Sequence, residues 1–423
     1  MFAAGYKFPV SPRFYEWLGP NETFAVTPPS IHRAHRGLIA PMFTKSSVQK
    51  LDQILVKHAK KLAEAMSPKP KILGEDCKVL RTEVVTKPGD GVYIFKLLRR
   101  YANDMVTEYL IGESFGLLDS DERFSCLQQI IDTLANFQHV FFAWVISYTV
   151  VHFPTFLVNA LVPSGFRGLK QVGFVVIDRL RAYYQKPVEA RAKTNKTIYE
   201  AIIEGGSEMK LPENVVVADL LLIYLASIET TGGALAEALY RACVGSEVQA
   251  RLHEELVKAF PNKTDEVTPA KAEKVQYLIA FLKEALRMGP PFPGRITRLT
   301  PKEGTTCQGK FIPGNTSVSM SAHLMHMDED VYPNPRKFDP ERWVGNSNPA
   351  SLQEKYFVPF SKGPRACPAS NFAWAEMITT VATVIRRYKV SLHSDNRRGE
   401  EWVDRITKTD VGDFIITSEE HDH

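Results

Sequence analysis

Residues 360 to 367 read Phe-Ser-Lys-Gly-Pro-Arg-Ala-Cys, which delivers Cys367 to the start of a helix with a glycine turn and Arg365 beside it. That arrangement can hold a thiolate against an iron. A free thiol titrates at about 8.5 in water and becomes a good ligand where positive potential favours the anion. The spacing predicts a helix from Pro368. Proline suits the first helical position, where its missing N–H is not needed, and Asn371 to Tyr388 keeps apolar residues at helical intervals. Cys367 is therefore expected at the positive end of a helix dipole. Taken by itself, a lone cysteine reads as an inert core residue.

A second constellation lies upstream. Val215 to Leu225 is apolar almost all round apart from Asp219, the pattern of a helix buried in a large protein. It runs into Ala226-Ser227-Ile228-Glu229-Thr230-Thr231. An acid beside two hydroxyls in a buried helix is costly without a task or partners. The threonines can bond back to carbonyls four residues earlier while Glu229 takes a salt bridge. Elsewhere, Glu284 and Arg287 stand three apart on one helix face, which alone describes a solvated surface pair. Arg298, in a short strand after the Pro290 to Gly294 turn, reads alone as an exposed charge. Arg36, four residues after His32 and near Arg33 and His35, reads alone as part of a solvated basic face.

Together these residues resemble the haem-thiolate monooxygenases of the cytochrome P-450 superfamily, whose ligand loop is Phe-x-x-Gly-x-Arg-x-Cys-x-Gly. Phe360, Gly363, Arg365 and Cys367 match it, and Ala369 replaces the last glycine. The resemblance implies haem b (iron protoporphyrin IX) with Cys367 as axial iron ligand, Arg365 on a propionate and Phe360 near the sulfur. A thiolate ligand pushes electron density towards oxygen and favours O–O cleavage. Ala226 to Thr231 is similar to the family's oxygen-activating helix, Ala/Gly-Gly-x-Asp/Glu-Thr-Thr/Ser, with Ser227 in place of the glycine. This implies that Thr230 hydrogen-bonds dioxygen and Glu229 helps relay protons, which O–O cleavage consumes. Ser227 is expected to narrow the groove for oxygen. Phe338 to Trp343 resembles the family's Pro-Glu-Arg-Trp segment, so Glu284, Arg287 and Arg342 are expected to form a buried structural triad. Arg298 falls where the family places a propionate-binding arginine. Arg36 fits a helix motif whose first residue is usually Trp, here His32.

The elements that must position these groups are mostly helical. Apolar residues recur at helical spacing over Ser46 to Met66, Lys96 to Leu110, Phe124 to Leu134, Lys170 to Lys186, Val215 to Val244, Glu247 to Ala259 and Val275 to Met288. Strands are expected at Arg295 to Thr300, Thr316 to Ser321, Val390 to His393 and Asp413 to Thr417. The expected fold class is mainly α with small β-sheets, a cytochrome P-450-like fold incomplete at the N-terminus. No linker, charge block or repeat divides the 423 residues, so residues 1–423 are expected to form a single domain. The resemblance runs from about residue 30. Eukaryotic-type members carry about a hundred more residues upstream, the size of a small domain. An N-terminally truncated chain is therefore expected, with an exposed sheet edge, reduced solubility and weak haem retention.

A net charge of +4 gives no case for nucleic-acid binding. Five scattered cysteines suggest neither a disulfide framework nor a zinc site. No Gly-x-Gly-x-x-Gly follows a strand, so electrons are expected from a partner. The resemblance implies an NADPH-dependent flavoprotein reductase on the cysteine side, with Lys362 as a contact. Residues 140–162 lack Lys, Arg, Asp and Glu, but Pro154 interrupts them. They are expected to cap the substrate cavity and to provide membrane contact, with residues near 226 and 292 to 297 as further walls. The full-length family type sits on the cytosolic face of the endoplasmic reticulum membrane; no N-terminal anchor is visible in this chain. The expected activity inserts one oxygen atom from O2 into an apolar small molecule of fungal secondary metabolism. The alternatives are a haem-binding but catalytically degenerate member of the same fold and a cofactor-free helical scaffold.

Overall fold

In the computed structural model, the residues described are 7–15, 23–67, 86–87, 91–119, 196–208, 211–345, 348–405 and 407–421, with single helical positions at 182 and 185. The cavity-capping stretch 140–162, the expected helix Phe124 to Leu134 and nearly all of Lys170 to Lys186 lie outside them. The frame is built on one helix, Glu213–Val244, of 32 residues. Its apolar first half leaves no polar stripe, so it is covered by several partners: helix Ile94–Ile111 along its length, with helices Gln276–Met288 and Ser370–Arg387 also packing on it. By length and composition this helix could cross a bilayer. Within the fold it is the core helix. Asp219 takes the Thr23 N–H (2.6 Å) and hydroxyl (2.8 Å), which satisfies the buried acid the sequence singled out. Burial still pushes that carboxyl up, while the two Thr23 bonds pull the other way.

Helix Gln276–Met288 buries Leu278, Phe281, Leu282, Ala285 and Leu286 on the face that meets the long helix. Side chains of this size each contribute about 1.5–3 kcal/mol on burial. The expected helix Ser46 to Met66 is two helices, Lys45–Gln49 and Asp52–Ala65. At the break, the Lys50 and Leu51 N–H groups turn back to Ser47 O and Val48 O, three residues away, and close the first helix early.

The sheets are small and antiparallel. Arg295–Leu299 pairs with Ser317–Ser321. Thr86–Lys87, Gly91–Tyr93, Ile415–Glu420 and Tyr388–Leu392 lie side by side in that order. Two hairpins escaped the sequence reading, Thr305–Cys307 with Lys310–Ile312 and Trp402–Arg405 with Thr407–Asp410. Helices Pro29–Ile39 and Ile198–Glu208 complete the parts that bear on the site.

Candidate functional site

The cysteine loop closes on itself. Cys367 N–H donates to Phe360 O at 2.9 Å, and Ser361 N–H donates to Val358 O at 3.0 Å. Ser361 (φ 59°) and Gly363 (φ 79°) both adopt left-handed backbone, which is why a glycine is needed in so short a loop. The following helix begins at Ser370, not at Pro368 as the sequence suggested. Pro368 and Ala369 form a turn before it. Burial dominates at the sulfur and holds the Cys367 thiol above its ordinary value. The Ala369 N–H and the Arg36 guanidinium both favour the thiolate, against a burial that pushes the thiol up. Phe360 tilts against Trp374, with ring centroids 6.1 Å apart.

Lys362, expected as a partner contact, turns its ammonium inward. It donates to Glu354 O (2.6 Å) and Lys355 O (2.7 Å) and so caps the end of helix Leu352–Tyr356.

A basic cluster faces this loop. Arg36, from helix Pro29–Ile39, donates to Ala366 O at 2.6 Å. Arg365 donates to Phe24 O (3.2 Å) and to Val26 O. Arg298, only 5% exposed, donates to the Tyr15 hydroxyl at 2.7 Å. The three guanidiniums gather around one imidazole. His32 registers the result. Burial first, then Arg365, Arg36, His35 and Arg298, lower its pKa to about 3. Neither Arg36 nor Arg298 is the solvated charge that its local sequence suggested.

On the long helix the acid and hydroxyls have partners. Glu229 is gripped by Arg99 of helix Ile94–Ile111, Nε to Oε1 and Nη2 to Oε2, both 2.8 Å. Thr230 donates to Ala226 O (2.6 Å) and Ser227 to Ile223 O (2.8 Å), the back-bonding pattern of helical hydroxyls. Arg99 was missed in the sequence, where nothing at its own position points 130 residues ahead.

Behind the cysteine loop, Glu284 and Arg287 are fully buried, not solvated. Arg287 donates Nε and Nη2 to Glu284 at 2.8 Å each, Arg342 Nε reaches Glu284 Oε1 at 3.2 Å, and Trp343 Nε1 reaches Oε2 at 2.9 Å. The expected triad is thus brought together, with an indole N–H added. The turn Pro290 to Gly294 is held by the missed hairpin: Lys408 N–H donates to Pro291 O at 2.9 Å. At Gly294 a Cβ would meet the exposed Asp404 carboxylate, which would have to turn away. The hairpin's root is fixed by Glu237 of the long helix. Its buried carboxylate meets Arg398 (2.7 Å), Arg241 (2.8 Å) and Lys408 (3.0 Å) and is held well below the usual carboxylate range.

A mainly helical frame that sets a loop-held thiol beside a cluster of arginines suits an acidic, metal-bearing cofactor. The chain belongs to the cytochrome P-450 family, whose model matches residues 5–409. It is 27% identical to the cytochrome P-450 monooxygenase aneF of Aspergillus aculeatus, over 93% of this chain and 77% of that protein. It is 26% identical to the cytochrome P-450 monooxygenase macH of Penicillium terrestre, over 98% and 79%. It is also 26% identical to the tryptophan 6-hydroxylase fscE of Fusarium equiseti, over 89% and 71%. A crystal structure of a cytochrome P-450 superposes with a TM-score of 0.74 at 17% identity, over 97% of this chain and 84% of that one, and establishes the fold. The chain is an enzyme of the haem-thiolate monooxygenase class. Membership implies a haem, and the residues present fit one: Arg36, Arg298 and Arg365 are cations suited to carboxylates, and the Cys367 thiol lies next to the Ala366 carbonyl that Arg36 holds.

Proposed function

We propose that this chain inserts one oxygen atom from O2 into an apolar small molecule of fungal secondary metabolism. The observation that carries the reading is the loop-held Cys367 beside three arginines, Arg36, Arg298 and Arg365, gathered around the buried His32. The Cys367 thiolate would hold haem b, which would supply the iron for oxygen activation, and would push the electron density that favours O–O cleavage. Arg36, Arg298 and Arg365 bind its carboxylates, and Phe360 shields the sulfur. Thr230 offers a hydroxyl and Glu229 a carboxylate that exchange protons in the groove of the long helix. Arg99 holds Glu229 turned aside, so delivery requires Glu229 to leave that ion pair. Electrons come from an NADPH-dependent flavoprotein reductase docking on the cysteine side. Endoplasmic reticulum membranes are the proposed location. Residues 1–423 act as one domain.

The test is the reduced, carbon-monoxide-bound spectrum of the chain with haem supplied, followed by NADPH-driven turnover with reductase. A strongly red-shifted Soret band is expected, and Cys367→Ser should abolish the shift. A band at the position of free or histidine-ligated haem in the parent chain would overturn the assignment of Cys367. Glu229→Gln should then slow turnover by about a hundredfold while leaving the spectrum intact.

A further inference from the structure

His326 ends the short helix Ala322–His326 and is fully buried, yet neither the triad nor the cysteine loop includes it. Both ring nitrogens are engaged. Val358 N–H donates to Nε2 at 2.9 Å. A backbone N–H can only donate, so Nε2 carries no proton and the ring hydrogen sits on Nδ1, 3.1 Å from Arg287 O. Arg287 returns the contact by donating Nη1 to His326 O at 2.9 Å. The ring stacks on Phe357, with centroids 5.6 Å apart and planes 24° apart.

Val358 is where the thiol loop begins. Its carbonyl accepts Ser361 N–H, and two residues later Phe360 O accepts Cys367 N–H. The imidazole therefore joins the Glu284–Arg287–Arg342 network to the first residue of the segment that aims the sulfur. We infer that His326 is a positioning residue for the thiolate, acting only as the neutral Nδ1–H imidazole, and that its protonation sets two donors against each other at Val358 and releases the loop. This rests on the reading of Cys367 as the haem ligand.

The charged or basic groups that face the ring are Arg287 on helix Gln276–Met288, His323 on its own helix and Lys362 in the loop. All three disfavour a further proton. Burial leads these effects and places the His326 pKa at about 3, against 6.5 for the free side chain. The folded protein therefore binds fewer protons here than the unfolded chain between those values. The contribution is complete above 6.5 and is lost as pH falls below it.

The test uses the haem-loaded full chain and three proteins: parent, His326→Gln and His326→Leu. The readouts are the carbon-monoxide Soret position and the helical circular dichroism, followed from neutral to acid pH. Gln returns an acceptor oxygen to Val358 N–H but cannot be protonated. It should keep the red-shifted band and hold it to lower pH than the parent. Leu leaves that N–H unmet and should raise the ratio of unshifted to shifted band about tenfold at neutral pH, with the helix signal retained. Should the Leu variant not fold, the acid profile of the Gln variant decides. Identical ratios and pH profiles for parent and Gln overturn the proposal, as does loss of the band only in step with the helix signal. A parent without a red-shifted band at neutral pH would instead overturn the assignment of Cys367.

Discussion

Two buried clusters of charge flank the cysteine loop, and they are built on opposite principles. Around Glu284 every charge meets its counterpart. Oε1 receives Arg287, Arg342 and the Asp339 N–H, and Oε2 receives Arg287 and Trp343. Around His32 the cations crowd one imidazole: burial first, then Arg365, Arg36 and Arg298, drive it neutral. A buried ion pair holds together only when its geometry and remaining hydrogen bonds are complete, and breaking one strands a charge. The first cluster is complete within the chain and serves the fold. The second is where the proposed haem would bring its negative charge.

The sharpest way to break this contrast is Glu284→Ala, which strands Arg287 in the core. A loss of about 3–5 kcal/mol is expected, read as a fall in the urea midpoint. An unchanged midpoint would place the triad outside the core's stability. Arg365→Ala is expected to act the other way round. Haem affinity should fall by about tenfold, the scale of a lost hydrogen bond to a charged group, while the haem-free chain unfolds at the same midpoint or a higher one. A haem titration beside a denaturant curve separates the two effects.

A finer test is acid. With its folded pKa at about 3 and an unfolded value of 6.5, His32 contributes stability that is full above 6.5 and declines as pH falls towards 3. One such group accounts for up to about 1.4 kcal/mol per pH unit in that window. His32→Gln should therefore flatten the pH dependence of unfolding of the haem-free chain, and His326 contributes in the same window. The difference between His32→Gln and parent should shrink once haem is bound, because carboxylates then oppose the same cations. The smallest effect is expected where solvent screens the pair. Glu400, 63% exposed, bridges Arg241, and Glu400→Gln should shift the urea midpoint by less than about 1 kcal/mol.

How far the sequence could be read depended on where the constraint resides. The thiol loop was legible because its chemistry needs fixed residue types within eight consecutive positions. The long helix was legible through its apolar first half, and Glu247 to Ala259 and Val275 to Met288 came within a residue of their observed bounds. Burial of single charges was not legible from local spacing. Glu284, Arg287, Arg298 and Arg36 have the neighbours of surface residues, and only partners far along the chain make them interior. Resemblance to the family supplied what spacing lacked. It did not supply Arg99, His326 or the hairpin Trp402–Asp410, whose strands lack a clean alternation of apolar and polar residues. The start of the last helix was misplaced by two residues, because proline's fitness for a first helical position suits a turn equally well.

The contact between Arg36 and Ala366 spans 330 residues of chain, and that from Arg365 to Phe24 spans 341. Contacts of such separation form late, since the entropy of closing the loop must be met before they reward it. On the ribosome, the N-terminal half of the cationic cluster is made long before the thiol exists to face it. With Cys367 as the proposed iron ligand, haem capture would be tied to the end of synthesis. A chain interrupted before Cys367 would carry Arg36 and the whole long helix without that ligand.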